Sequence, residues 1–593
     1  MIEEKNKYDV IICGGGLAGL TLARQLTVEL PELSILMVDR LSRPLPEAAF
    51  KVGESTVVIG AHYLEHVLKL GNYLSKNHFE KLGLRFFFSG GKASESFFRR
   101  PEMGRSIYNP LATEWQIDRG VFENDLREIV ISDGVDMIES SRVKDMVIND
   151  AEEDNSVIVN VNGKDECFSA PWVVDATGRR KFLQRKLGLE RDSLFSGRSA
   201  AWFRIKGIVD VSKLVNSENV EWHKRVPGAN PKDPTYNRWN STSHLVGDGY
   251  WVWLIPLASG HTSIGIVSLE DIQSFSSYGS RDKARLWLSQ NEADLYGLIE
   301  HSDFLDFKML RNYSHSCSQV LSSNKWAITG DAGIFPDPLY SPGIDSISYT
   351  NRMISELISL DRSSGISSEL CDILSRDYIE WLDKVVATTH TSYQFFGDSV
   401  VSSMKIVWDF MNSIWFNGPK FFSMIFKPGF ALNTIEWDGE FKNIRPEFER
   451  LSELNSVIIN LFKEWKSYPN RSASFKWLDY FQDLTFLRDD LIHCSTPKES
   501  PFIDLDSSFK RIEMLAISIF YIALEDTMPD QLHKFEEDGR GEWINAWSLS
   551  LNERDWEKSG LFKPTTKPQN ITQMRKELRK AFQFSSIAIA EEA

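Results

Sequence analysis

Near the N-terminus a six-residue loop, Gly14-Gly15-Gly16-Leu17-Ala18-Gly19, joins two segments of different periodicity. Tyr8 to Cys13 is apolar nearly throughout, the pattern of a parallel strand buried on both faces. Leu20 to Leu30 has helical spacing, and Leu33 to Val38 is a second apolar strand ending at Asp39. A strand–loop–helix–strand unit restricts the fold to an α/β sheet with a nucleotide at the helix N-terminus. Gly14 permits the tight turn, Gly16 lets the backbone approach a pyrophosphate, and Gly19 lets helix and strand pack closely. The phosphates meet free N–H groups and the positive end of the helix dipole, with Leu17 and Ala18 completing the turn. Asp39 lies 20 residues past Gly19, where a carboxylate can accept hydrogen bonds from a ribose.

The 593 residues leave room for two or more packed units beyond this one. A formal net charge of −16 argues against nucleic acid as a partner, because phosphate binding needs a basic surface. The five cysteines, Cys13, Cys167, Cys317, Cys371 and Cys494, show neither CxxC nor metal-ligand spacing. No disulfide framework and no metal site are therefore expected, and the default is a cytoplasmic enzyme in a reducing compartment. Residues 1–7 lead into the first strand with no apolar signal region. The most hydrophobic later stretch, Val400 to Phe430, is interrupted by Lys405, Asp409, Asn412, Lys420 and Lys427, so no membrane span is expected.

Three segments narrow the nucleotide. Gln116-Ile117-Asp118-Arg119 precedes a helix over Phe122 to Ile131 and resembles the arginine-bearing FAD contact of the flavin monooxygenase superfamily. Val173 to Gly178 is a strand entering a small-residue turn, similar to that superfamily's Ala-Thr-Gly motif. Trp326 to Ala332 leads to Gly330-Asp331-Ala332, which there places an aspartate, here Asp331, on the ribityl chain of FAD. Asn155 to Asn162, Ala201 to Val209 and Thr242 to Val267 alternate like strands and predict a mixed sheet roofing the isoalloxazine. The expected class is α/β: a Rossmann-type FAD-binding core with a mixed β-sheet substrate region over residues 1–390, and a mostly helical extension over 391–593. Helical spacing there covers Ser392 to Phe430, Phe448 to Tyr468, Ala473 to Cys494 and Phe509 to Leu524.

Trp251-Val252-Trp253-Leu254-Ile255-Pro256 reads by itself as a short buried strand with both indoles on one side. Together with the glycine loop it resembles the paired GxGxxG and WxWxIP signature of flavin-dependent halogenases, over residues 1 to about 390. That resemblance implies FADH2 from a separate flavin reductase, O2, chloride or bromide, and hypohalous acid passed through a tunnel to a substrate held away from the flavin. Trp251 and Trp253 would gate the flavin face. Phe79 to Phe86 is similar to the family's lysine segment, making Lys81 the candidate relay, as a haloamine or as a hydrogen-bond donor. Lys51-Val52-Gly53-Glu54-Ser55-Thr56 is similar to the flavin-covering segment, with Glu54 and Ser55 directed at flavin or at neighbouring loops. Pro336 to Asp345 resembles the halide- and flavin-contacting loop, built from Pro338, Ser341, Pro342, Gly343 and Ile344, with Ser341 the candidate catalytic hydroxyl. Tryptophan-directed members carry a glutamate before that serine. Tyr340 stands there instead, which points to phenols, pyrroles or carrier-protein-tethered acceptors.

A flavin-dependent monooxygenase or dehydrogenase on the same scaffold is the alternative, and a non-catalytic flavoprotein with a partner-binding extension is the third possibility. Met404, Trp408, Met411 and Trp415 share one helical face in the extension. That stripe fits either an aromatic-binding cover or the extension's own core, and the reading adopted is the cover.

Overall fold

The strand–loop–helix–strand unit forms as its periodicity dictates. The structure, a computed structural model, describes residues 6–46, 51–89, 96–193, 196–226, 238–537, 539, 543–563 and 570–584. Val10–Cys13 and Ile35–Val38 pair in parallel across the helix Leu17–Glu29. Trp172–Asp175 and Trp326–Ile328 add on one side and Asp136–Ile138 on the other, giving five parallel strands. Both faces of the inner strands are covered, so Val10–Cys13 and Ile35–Val38 carry unbroken apolar runs, whereas the edge strand Asp136–Ile138 is only partly buried.

A second, mixed sheet runs in the order Lys308–Leu310, Arg198–Lys206, His261–Leu269, Tyr250–Leu257, Thr242–Gly247, Leu84–Phe88, Glu102–Gly104 and Trp477–Asp479. The Trp251–Pro256 segment is one of its inner strands, and period-2 alternation decides what each residue touches. Tyr250, Val252 and Leu254 pack into the core on one face, while Trp251, Trp253 and Ile255 pack into the core on the other. That second core is shared with the extension, including Trp408, Trp415 and Trp465.

Four expectations need correction. Asn155–Val161 does not join the mixed sheet; it is the middle strand of a separate antiparallel sheet with Arg142–Val147 and Lys164–Ala170. Ala473 to Cys494 is not one helix: Ala473–Ser474 and Trp477–Asp479 are strands, and only Thr485–Ser495 is helical. Trp477–Asp479 pairs in parallel with Glu102–Gly104, a partner some 370 residues away that local spacing cannot reveal. Ser392 to Phe430 is not helical throughout: residues 393–398 and 426–429 are turns, but between them Ser399–Asn412 continues through π-helical Ser413–Asn417, Gly418–Lys420 and π-helical Phe421–Ile425, and Phe430–Ser467 runs on through Pro446.

The fourth concerns the stripe. Met404, Trp408, Met411 and Trp415 are all buried, and none borders the cavity described below. The Trp408 indole donates to Asn455 (2.9 Å) and the Trp415 indole to Asp490 (3.0 Å), both within the extension. The stripe is the extension's core, not a substrate cover. Trp408→Ala is accordingly expected to cost about 3–5 kcal/mol in urea unfolding while leaving ligand affinity of the cavity unchanged. Weakened ligand affinity at near-wild-type stability would restore the cover. Among the described residues no helix is long and apolar enough to cross a membrane.

Candidate active site

The carboxyl ends of four parallel strands open onto one cavity of about 910 Å³, where Gly14, Asp39, Ala176 to Arg180 and Thr329 to Asp331 form its wall. Ligands of open α/β sheets bind at that edge, outside the strand ends. The three fingerprint glycines divide the work as their spacing predicts. A Cβ on Gly14, at φ +122°, would lie 2.2 Å from the Ala176 carbonyl oxygen, and one on Gly19 would lie 2.0 Å from that of Gly14. Gly19 thus packs behind the wall. A Cβ on Gly16 would meet nothing within 4 Å. Gly16 also caps the helix without a side-chain acceptor, so first-turn N–H groups stay available to a ligand.

Asp39 lines the cavity and is ion-paired with Arg127, which also binds Glu139 (2.8 Å). Arg119, the first residue of the helix Arg119–Ser132, donates to the Val52 carbonyl (2.6 Å) and to Glu123 (3.0 Å). Burial lowers its pKa to about 10. Lys51 is ion-paired with Glu123 and borders the cavity, and burial next to Arg119 lowers its pKa to about 7. Burial raises the Asp331 carboxyl, against the pull of Arg179 and Arg119. Arg179, Arg119 and Lys51 thus gather round Asp331 at the strand ends.

The Glu54 carboxylate is held by Arg204 (2.6 Å), which also reaches Asp118 (3.1 Å), the residue capping the Arg119 helix. Arg204 lies in the strand Arg198–Lys206, so the contact Glu54 makes is to the mixed sheet and not to a neighbouring loop, and Glu54 also lines the cavity. Ser55 accepts from Thr242 (2.9 Å) and Ser341 (3.1 Å), so three hydroxyls converge where the flavin-cover segment meets the Pro336–Asp345 loop. Ser341, Pro338, Gly343 and Ile344 line the cavity; Pro342 does not, and instead caps the helix Gly343–Ser363.

Trp251 and Trp253 line the cavity with ring centroids 5.8 Å apart. Their N–H groups donate to Tyr393 (2.9 Å) and Ser263 (3.1 Å), which fixes both ring orientations. Lys81 is 1% exposed and stands just behind the cavity wall, its ammonium donating to the carbonyl of Thr56, the neighbour of Ser55. Burial lowers its pKa to about 8, and raises that of nearby Asp345 to about 7.

Sequence reading missed four contributors. Arg204 and Thr242 act through residues distant in the chain. Asp337 collects Leu339 N–H (2.8 Å) and the hydroxyls of Tyr313 and Tyr393 (both 3.0 Å), tying the loop to the Trp251 partner. His244 lines the cavity, stacks on Phe86 (4.7 Å) and has its pKa lowered to about 3 by burial. Its alternation with Thr242 on one strand face was the available signal.

The model of the Tryptophan halogenase family matches residues 88–393, slightly more than half of the chain. The chain belongs to the tryptophan halogenase family. Among similar proteins of this family's kind, a flavin-dependent halogenase, chlA, of Dictyostelium discoideum is 29% identical over 380 residues, 61% of either chain. A 1H-pyrrole-2-carbonyl-(peptidyl-carrier protein) chlorinase of Pseudomonas fluorescens is 25% identical over 57% of this chain and 72% of its own. The chain thus spans about three fifths of the length of several curated relatives it matches. In fold it is similar to halogenase PltM, with a TM-score of 0.58 at 15% identity over 86% of this chain and 99% of that one. A flavoprotein/dehydrogenase from Cytophaga hutchinsonii gives 0.52 at 20% identity, over 67% and 88%. The PltM likeness extends past residue 393, so the halogenase-like fold takes in part of the helical extension.

Proposed function

We propose that this chain is a flavin-dependent halogenase that transfers chlorine or bromine to an electron-rich aromatic acceptor, free or tethered to a carrier protein. The observation that carries the reading is the convergence of the glycine loop, the Trp251–Trp253 strand and the Ser341 loop on one cavity. The residues fit FAD: the open face at Gly16 and the uncapped helix suit a pyrophosphate, and Asp39 suits a ribose. Bound FAD, reduced by a separate reductase, would supply the electrons that with O2 convert halide to hypohalous acid.

The protein's own part is orientation and exclusion. Trp251 and Trp253, locked by Tyr393 and Ser263, bar an acceptor from the flavin face and so suppress direct oxygenation. Gly343 and Ile344 offer first-turn N–H groups to an anion, beside the Ser341 hydroxyl. Lys81, whose pKa burial lowers to about 8, donates a hydrogen bond to the hypohalous acid on its way to the acceptor. Transfer forms a carbon–halogen bond and breaks the oxygen–halogen bond, and the hydroxide so released takes up the ring proton to leave as water.

Mixing FADH2-loaded enzyme with O2, bromide and a panel of phenols and pyrroles tests this by product mass. Brominated product is expected. A hydroxylated product formed equally without bromide would establish the monooxygenase alternative instead.

A further inference from the structure

The loop before the helix Gly343–Ser363 carries two consecutive non-glycine residues in the left-handed region, Tyr340 at φ +67° and Ser341 at φ +62°. That conformation is unfavourable for both and persists only where the surroundings dictate it. The surroundings are specific. At one end Asp337 accepts from Leu339 N–H, Tyr313 and Tyr393. At the other the Tyr340 hydroxyl donates to Asp409 (3.1 Å), and its ring stands edge-on to Phe410 at 5.7 Å.

Asp409 lies in the helix Ser399–Asn412, beyond the stretch matched by the family model. It is paired one turn away with Lys405 (2.6 Å) and accepts from Ser392 (3.2 Å); Lys405 also reaches the Thr388 carbonyl (3.3 Å). Lys405 is 2% and Asp409 5% exposed. Desolvation consumes most of what a buried ion pair gains, so stability alone is a poor reason for one here. Among the described residues the pair's link to the cavity loop is the hydrogen bond from Tyr340 to Asp409.

We infer that Asp409, fixed by Lys405, is a positioning residue for the halide subsite: through Tyr340 it sets the loop so that the Ser341 hydroxyl meets Ser55 and the N–H groups of Gly343 and Ile344 face the anion. The helical extension thereby completes a site whose other parts lie at or before residue 393. This rests on the halogenase reading above.

Three variants test it: Tyr340→Phe, Asp409→Asn, and the double Lys405→Met/Asp409→Leu, which removes the pair without stranding a charge. Each is expected to bind FAD within about twofold of wild type. KM for bromide should rise at least about tenfold, with kcat recovered at saturating bromide. Bromide titration of the oxidised, FAD-loaded protein, followed by flavin absorbance, should shift its midpoint by the same factor. If wild type responds to bromide and Tyr340→Phe keeps the wild-type midpoint and KM, the inference is overturned. Parallel losses of FAD and bromide affinity would make the pair merely structural and also overturn it. A wild type with neither brominated product nor a bromide-dependent spectral change overturns the halogenase reading, and this inference with it.

Discussion

Lys81→Ala is expected to abolish halogenated product while FAD affinity and reoxidation of the bound flavin by O2 stay near wild type. The ammonium touches the Thr56 carbonyl behind the cavity wall, not the glycine loop, so its removal leaves the nucleotide contacts alone. Lys81→Met keeps the packing of the stem and removes only the donor, and should be equally inactive. The two variants also carry a stability signature. Burial holds the folded-state pKa near 8, below the 10.5 of the unfolded chain, so the fold binds fewer protons than the unfolded state. The contribution of such a group is most favourable above pH 10.5 and is lost as pH falls through about 8. At pH 7 the lysine therefore opposes folding by on the order of 3 kcal/mol. The Thr56 carbonyl, left without its donor, takes back about 1 kcal/mol or more. Lys81→Met should melt above wild type at pH 7, with the difference closing toward pH 10.5. A residue that costs stability and is kept for chemistry behaves in that way. Retained halogenation in either variant removes the relay role, and lost FAD binding would make Lys81 structural.

Where the chain could be read in advance, the determinants were local. Gly14, Gly16 and Gly19 act within a dozen residues of one another, and their different steric surroundings follow from a single turn and the strand beside it. Trp251 and Trp253 face the cavity because strand alternation puts them on one side, whatever the sheet's order. Elsewhere partners distant in sequence decide. Trp477–Asp479 looks helical by spacing but pairs with Glu102–Gly104, and that edge position outweighs local preference. Asn155–Val161 alternates as a strand should, yet alternation does not say which sheet receives it. Trp408 and Trp415 share a face in either reading, and only the Asn455 and Asp490 partners show that the face turns into the extension. Glu54 was visible as a carboxylate; that Arg204 holds it, 150 residues away, was not.

Gly16→Val should leave the fold intact and eliminate FAD binding. Gly16 sits at φ −92° and ψ −174°, extended backbone that a β-branched residue adopts readily. A Cβ there has no protein neighbour within 4 Å, so the added Cβ displaces no atom of the chain. The isopropyl group would instead fill the space a pyrophosphate must enter, over the N–H groups of the helix Leu17–Glu29. Melting of the ligand-free variant should match wild type, and flavin titration should show no saturable binding. Gly19→Ala supplies the contrast: its methyl would lie 2.0 Å from the Gly14 carbonyl oxygen, so helix and strand must separate. That variant should lose several kcal/mol of stability, in the range of overpacked cores or beyond. The pair separates a ligand-facing glycine from a packing glycine by two measurements, melting and flavin affinity. Wild-type FAD affinity in Gly16→Val would show that the phosphates lie elsewhere, and the cofactor assignment of the first domain would fall.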